Sequence, residues 1–174
     1  MNQTDSHHLT PANACPALSV PPRTRIAVIS ANWHNDIVHA ARDSAIRRLV
    51  ELGADAGRIQ TVEMPGAFEI PLMAQRLAAS GQFDAVIACA LIVNGGIYRH
   101  EFVTTAVIDG LMRVQLDTGI PVFSVALTPL HFHEHEDHRT FFQQHFVKNG
   151  HEAAEACAAT LAQHALAGQW LQAA

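Results

Sequence analysis

Two adjacent basic residues, Arg99 and His100, stand where an apolar run and the glycine pair Gly95-Gly96 give way to a helical pattern. A guanidinium stays charged at any physiological pH and suits anion binding, whereas an imidazole can pass protons near neutrality. The glycines permit positive φ and a close approach of the backbone to a ligand. Two solvated residues at a helix start are the alternative interpretation. The spacing indicates an anion site with acid–base capacity.

Two other segments offer groups that suit a flat ligand. Trp33 has an indole face on which a heterocycle could stack, although a buried core position is the commoner use of a tryptophan. Glu69 could accept hydrogen bonds from hydroxyl or ring N–H groups, although the helix dipole alone also favours a glutamate in a first turn. Together with the basic pair, these residues suit a planar heterocycle that carries or accompanies a phosphate.

A histidine-rich segment follows the last predicted strand, and six of the twelve histidines lie between His131 and His151. Alternate histidines on an extended segment could share a metal ion, but their spacing matches no specific metal motif, and we predict no metal site. A cationic phosphate pocket that uses His138 or Arg139 is the favoured interpretation. A metal-dependent hydrolase built on the cluster is the alternative.

Four β-rich segments alternate with helical patterns and must position these groups. Residues 85–93 are apolar on both pleat faces, as expected for a central parallel strand covered by helices. Such alternation predicts a three-layer α/β sandwich with a flavodoxin-like, four-stranded parallel sheet. The predicted strands are 25–30, 58–63, 85–93 and 121–127, and the predicted helices are 38–53, 67–80, 100–118 and a closing helix after Gly150. All strand-to-helix loops of a parallel sheet emerge at one edge, so the candidate residues are expected to meet there.

Length and composition limit the classes of function. The 174 residues suit one domain over residues 23–174, preceded by a flexible, proline-rich arm over residues 1–22. The net charge of −5 and the dispersed basic residues argue against nucleic acid as a partner. The longest uncharged apolar run is too short to span a membrane, and nothing resembles a secretory signal. Three widely spaced cysteines suit reduced thiols in a cytoplasmic protein.

The chain resembles the lumazine synthases, which make the lumazine precursor of riboflavin. The resemblance covers residues 25 to about 165 and depends on four segments in order. They are Ala31-Asn-Trp-His34, Met64-Pro-Gly-Ala-Phe-Glu-Ile-Pro71, Val93-Asn-Gly-Gly-Ile-Tyr-Arg-His-Glu-Phe-Val103 and Pro121-Val-Phe-Ser-Val-Ala-Leu-Thr128. The resemblance implies a transferase that condenses 5-amino-6-(D-ribitylamino)uracil with 3,4-dihydroxy-2-butanone 4-phosphate to 6,7-dimethyl-8-ribityllumazine, phosphate and water. It implies no cofactor.

The resemblance also implies assembly and site residues. Family protomers form pentamers, in some variants paired as decamers, with each active site between adjacent subunits. The stacking position falls on Trp33, and the butanone phosphate is expected near Gly96 and Ile97. The uracil and ribityl contacts fall on Ala67, Phe68, Glu69, Leu91, Ile92 and Val93, with a further pocket position at Ser124.

Two departures from the usual family pattern concern charge. Arg99 occupies the position where most members have a proton-transferring histidine, with His100 one step away. The connection after the fourth strand is longer than usual, which leaves His138 and Arg139 as phosphate-binding candidates. We expect Arg99 to stabilise negative charge and His100 or a water to carry protons.

Both departures, with tryptophan at the stacking position, resemble variant lumazine synthases that form decamers and often bind flavins such as riboflavin or FMN. A flavin- or lumazine-binding protein without a major catalytic role is therefore the alternative function. The chain lacks the Ser/Thr-rich phosphate loop that a flavodoxin has after its first strand.

Overall fold

In the computed structural model, which describes residues 18–133 and 135–172, a parallel sheet lies between two helical layers. The strands are β1 (Ile26–Ala31), β2 (Ile59–Met64), β3 (Ala85–Leu91) and β4 (Val122–Leu127). Their order is β2-β1-β3-β4, and all three pairs are parallel. This confirms the predicted four-stranded α/β fold.

Four helices cover the sheet. They are α1 (Asn35–Glu51), α2 (Ile70–Ala79), α3 (His100–Thr118) and α4 (Glu136–Gln172), with a short 3₁₀ helix at Ala56–Arg58. Helices α1 and α4 pack on one face of the sheet, and α2 and α3 pack on the other. Every residue of the central strands β1 and β3 is buried because both of their faces are covered.

The arm predicted over residues 1–22 lies outside the described residues as far as residue 17. Near its end, Val20 is buried, and its N–H donates to the carbonyl of Leu52 at 2.8 Å. The packed chain therefore includes residues that precede Arg23. Within the described ranges, no helix has the length and apolar content that crossing a bilayer requires.

Two cysteines lie in the core on the α1–α4 side of the sheet. Cys89 and Cys157 are free thiols, and burial raises the pKa of each to about 12. Since the thiolate is the reactive form, neither residue is suited to nucleophilic chemistry.

Helix α4 begins much earlier than the sequence pattern predicted. The prediction placed its start after Gly150, whereas one continuous helix runs from Glu136 and passes through that glycine. Gly150 lies where α4 crosses α1, and a Cβ at this position would collide with the backbone carbonyl of Ala41. Beside the crossing, the Ser44 hydroxyl donates to the Val147 carbonyl at 2.7 Å. The glycine permits close packing of two helices and does not end one.

Gly150→Ala is expected to lower the free energy of unfolding by about 2 kcal/mol or more, because the new methyl group must push α4 away from α1. Urea unfolding followed by circular dichroism measures this change. Gly168→Ala is the matched control in the same helix, since nothing lies within 4 Å of the added Cβ. The control should keep or slightly raise stability, and an unchanged midpoint for Gly150→Ala would contradict the proposed close contact.

Candidate active site

The loops that follow β1, β2 and β3 enclose a cavity of about 570 Å³ at the carboxyl edge of the sheet. This is the edge at which ligands bind in open α/β proteins, and the volume suits a small organic molecule. The cavity is lined by Trp33, His34, Pro65, Gly66, Ala67, Phe68, Glu69, Leu91, Ile92, Val93, Gly95, Ile97, Tyr98, Arg99, His100 and Val103. Segments far apart in sequence therefore meet in space, as the parallel sheet predicted.

The indole of Trp33 lies on the cavity wall and is 73% exposed. The alternative of a core tryptophan is therefore wrong. An exposed indole at the mouth of a cavity offers its face to a planar ligand at little cost in conformational freedom.

His34, the next residue, holds the first loop in an unusual conformation. It is the N-cap of α1 and, among the described residues, the only non-glycine residue with positive φ, at 52°. Its carbonyl accepts hydrogen bonds from the N–H groups of Ile37 and Val38, which starts the helix. Its ring contacts Phe132 edge-on at 5.1 Å between centroids. Backbone strain of this kind is commonly found at functional sites.

Glu69 lines the cavity at the start of α2. It is the N-cap residue, but its side chain makes no capping hydrogen bond. The adjoining turn is tight, because a Cβ at Gly66 would lie 3.0 Å from Oε2 of Glu69. The carboxylate is thus exposed at the cavity, where it can accept hydrogen bonds from a ligand.

The basic pair Arg99-His100 lines the cavity at the start of α3. Asn94 Oδ1 accepts a hydrogen bond from the Gly96 N–H at 2.9 Å, and Gly96 has φ of 75°, so this turn requires glycine. Arg99 is the N-cap residue of α3, and its guanidinium carbon lies 5.9 Å from the ring centroid of Phe102. Both Arg99 and His100 line the cavity. The amides of the helix start and the guanidinium together favour an anion here.

Two of the predicted substrate contacts do not line this cavity in their own protomer. Gly96 shapes the turn, but only its neighbours Gly95 and Ile97 are part of the wall. Ser124 lies in the edge strand β4, paired with Ala88, and lines a separate open groove between β4 and α4.

The predicted phosphate ligands, His138 and Arg139, lie in the first turn of α4 and do not line the cavity of their own protomer. The Arg139 guanidinium donates to the Asp36 carboxylate at 2.7 Å, and Gln143 donates to the same carboxylate at 3.3 Å. The His138 ring lies 5.3 Å from that of His133. Within one protomer, Arg139 thus joins the start of α4 to the start of α1.

The histidine-rich segment gives the hydrolase alternative no support. Among residues 18–133 and 135–172, no three His, Cys, Asp or Glu side chains are arranged to hold a metal ion. Its aromatic rings instead pack together, with Phe132 lying 5.4 Å from Phe142.

Several cavity residues were missed by the sequence analysis. Four of them lie in the same loop as a predicted residue, and Val103 lies one turn after His100 in α3, so position along the chain was the available signal. They are His34, Pro65, Gly66, Tyr98 and Val103. Whether a neighbour of a candidate residue faces the cavity depends on the local backbone, which residue type alone does not specify.

Comparisons with known proteins agree with the geometry. A family model described as 6,7-dimethyl-8-ribityllumazine synthase matches residues 23–165. A 6,7-dimethyl-8-ribityllumazine synthase from Rhodococcus erythropolis is 60% identical over 137 residues, which cover 79% of this chain and 88% of the relative. A protein named 6,7-dimethyl-8-ribityllumazine synthase 2 from Pseudomonas syringae pv. tomato is 49% identical, over 80% of this chain and 82% of the relative. A protein of the same name from Bradyrhizobium diazoefficiens is 48% identical, over 87% of this chain and 89% of the relative.

Proposed function

The chain belongs to the 6,7-dimethyl-8-ribityllumazine synthase family, and from this premise we propose how its cavity carries out the condensation. The family is one of transferases in riboflavin biosynthesis. The substrates proposed are 5-amino-6-(D-ribitylamino)uracil and 3,4-dihydroxy-2-butanone 4-phosphate. The observation that carries the proposal is the convergence of an exposed indole, a carboxylate and a basic pair on one cavity.

The pyrimidine is proposed to stack on Trp33. Its ribityl hydroxyls would hydrogen-bond to the Glu69 carboxylate, while backbone groups at the end of β3, over residues 91–93, would hold the ring edge. The apolar lining from Ala67 and Phe68 would exclude water from the reacting amine. Such a pocket fixes the position of a flat, polar-edged molecule without any cofactor.

The butanone phosphate is proposed to bind at the start of α3. Helix amides, the turn at Gly96 and Ile97, and the Arg99 guanidinium supply positive potential there. Both substrates are already reactive, so holding them together is the main contribution that the protein makes to rate. Arg99 is a poor proton donor, and its proposed role is to stabilise the leaving phosphate, while His100 or a water moves protons.

The direct test is to incubate the pure protein with both substrates and follow lumazine fluorescence together with phosphate release. Product that needs both substrates, with one phosphate released per lumazine, supports the condensation. The exposed indole also fits the alternative of a flavin or lumazine carrier. Tight binding of riboflavin without any product would favour that alternative.

Exposed apolar residues support assembly into a homo-oligomer. Phe68 and Tyr98 are exposed at the cavity, and α3 exposes Phe102, Met112 and Leu116. Apolar surface of this extent usually marks a protein interface. We propose a pentamer or a dimer of pentamers, which the mass in solution distinguishes as five or ten chains of 18.9 kDa.

A ring of subunits could also bring Ser124, His138 and Arg139 into the proposed site. A head-to-tail interface joins two different surfaces of the same chain. Ser124 and the start of α4 do not line the cavity of their own protomer, so a neighbouring copy could bring them to the cavity of another. We therefore retain them as contributions from the adjacent subunit.

Arg139→Gln tests whether Arg139 binds the phosphate or only links α4 to α1. If Arg139 of the adjacent subunit binds phosphate, the variant should raise KM for the butanone phosphate about 10-fold, since the lost contact is a charge-assisted hydrogen bond. KM for the pyrimidine should not change. Steady-state rates at varied concentrations of each substrate give both values.

Asp36→Asn is the matched control, because it weakens the same ion pair and leaves the guanidinium in place. It should not raise KM for the butanone phosphate. Equal losses of thermal stability in the two variants, with KM unchanged in both, would show that Arg139 only ties α4 to α1.

A further inference from the structure

The first turn of α3 places a carboxylate against the imidazole of His100. Oε2 of Glu101 lies 3.4 Å from Nδ1 of His100, although the angle is not that of a formed hydrogen bond. The His100 side chain is only 14% exposed, whereas that of Glu101 is 67% exposed. The imidazole is thus enclosed, while the carboxylate reaches it from the solvent side.

The two ring nitrogens of His100 are in different environments. Nδ1 is buried and, among the described residues, has no hydrogen-bond partner. A buried polar nitrogen of this kind normally has one, and the carboxylate of Glu101 is the acceptor within reach. A small rotation of an exposed side chain would complete the bond. Because Nδ1 is enclosed and His100 lines the cavity, Nε2 is the nitrogen that a ligand can meet.

We propose that Glu101 is a positioning residue that holds the His100 imidazole with its proton on Nδ1, so that Nε2 presents a lone pair to the reacting amine. This inference rests on the proposed function, since it assigns a role at the same site. A carboxylate that orients an imidazole through its far nitrogen is a recurrent arrangement in acid–base catalysis.

The proposed task is proton movement during imine formation. The amine attacks the ketone carbon, the N–C bond forms, and the C–O π electrons move to oxygen. Nε2 takes one proton from the amine nitrogen and gives it to that oxygen, which becomes a hydroxyl group. The second amine proton is then transferred to the hydroxyl oxygen, which leaves as water as the C=N bond forms. Arg99 cannot take this role because its guanidinium does not give up its proton in proteins.

Other titratable groups line the same cavity and must be distinguished from Glu101. They are His34, Glu69, Tyr98 and Arg99. Among the ion pairs of the described residues, His100 pairs only with Glu101, so Glu69 is not its partner there. Glu101 also lies in the first turn of α3, where the helix dipole alone favours a carboxylate. The experiment must therefore separate a catalytic effect from helix stabilisation.

A double-mutant cycle on the assembled protein makes this separation. His100→Gln should lower kcat about 100-fold, the lower end for loss of a general acid–base. Glu101→Gln should lower kcat about 10-fold with KM for both substrates unchanged, as expected for loss of orientation alone. In the His100→Gln background, Glu101→Gln should cost almost nothing further, because its effect passes through the imidazole. Glu101→Asp should recover part of the loss.

Asp109→Asn, an exposed carboxylate change further along α3, controls for the loss of a negative charge on this helix and should leave kcat unchanged. Full activity of Glu101→Gln, or the same fold loss with and without His100, would overturn the inference. A wild-type protein that makes no lumazine would instead refute the proposed function. If the wild type is active and the kcat losses of the two single variants add in the double variant, only the role of Glu101 is refuted.

Discussion

Arg99→Ala is expected to lower kcat about 100-fold or more, comparable with the loss of one preorganised donor to a developing anion. The guanidinium lines the cavity at the start of α3, where helix amides already favour negative charge. Removing it leaves the leaving phosphate with less compensation as the C–O bond breaks. The fold should persist, because Arg99 is exposed and its side chain makes no capping hydrogen bond. Steady-state lumazine formation with both substrates saturating measures the change.

Two further variants define the cause of that loss. Arg99→Lys retains the charge but not the planar fork of donors, so it should recover part of kcat. Arg47→Ala removes an exposed arginine from α1, away from the cavity, and should leave kcat unchanged. Turnover of Arg99→Ala close to that of the wild type would refute the role assigned to this residue. In that case the amides of α3 alone would suffice for the phosphate.

The sheet was predictable because its signals are local. The uniformly apolar segment at residues 85–93 predicted a strand covered on both faces, and β3 is buried at every residue. Its predicted end ran two residues past Leu91, since Ile92 and Val93 are apolar but already belong to the loop at the cavity. Hydrophobicity indicates burial, and it does not fix the residue at which a strand ends and the loop begins.

The start of α4 was not predictable from the same local signals. Gly150 interrupts the apolar pattern and is typical of a helix end, but here it permits α4 to cross α1 at Ala41. A contact between residues more than a hundred positions apart decides that conformation. The histidine-rich segment was ambiguous for a related reason, because Arg139 pairs with Asp36 only once α4 has packed beside α1.

The sequence predicted which loops meet at the candidate site better than it predicted which single residues face the cavity. Parallel strands bring their carboxyl ends to one edge, so the meeting of the loops with Trp33, Glu69 and Arg99 followed from the topology. Whether Trp33 was a core or a cavity residue depended on the conformation of the loop after β1, in which His34 has positive φ. That conformation has no unique signature in sequence, because positive φ is a several-fold preference of Asn, Asp and His over other non-glycine residues and not a requirement of any of them.

Trp33→Ala is expected to weaken pyrimidine binding and raise its KM about 10- to 100-fold, the range measured when an aromatic that stacks on a base is removed. The loss should be mainly in KM, because stacking holds the ring in the ground state as well as in the transition state. KM for the butanone phosphate should change little, since its proposed contacts lie at the start of α3. Trp33→Phe keeps a smaller stacking face, so its KM for the pyrimidine should lie between those of the wild type and Trp33→Ala.

The chain supplies its own control, because its other tryptophan, Trp170, is 69% exposed against 73% for Trp33 but does not line the cavity. Trp170→Ala should leave both KM values unchanged. The same pair gives a binding measurement independent of turnover, since the lumazine product should quench the emission of Trp33 in the Trp170→Phe protein. Quenching that persists in Trp33→Ala, or equal KM values in the two alanine variants, would place the heterocycle elsewhere. The Trp33 indole would then be a contact with a neighbouring subunit. Glu69 and the start of α3 would have to bind the substrates without it.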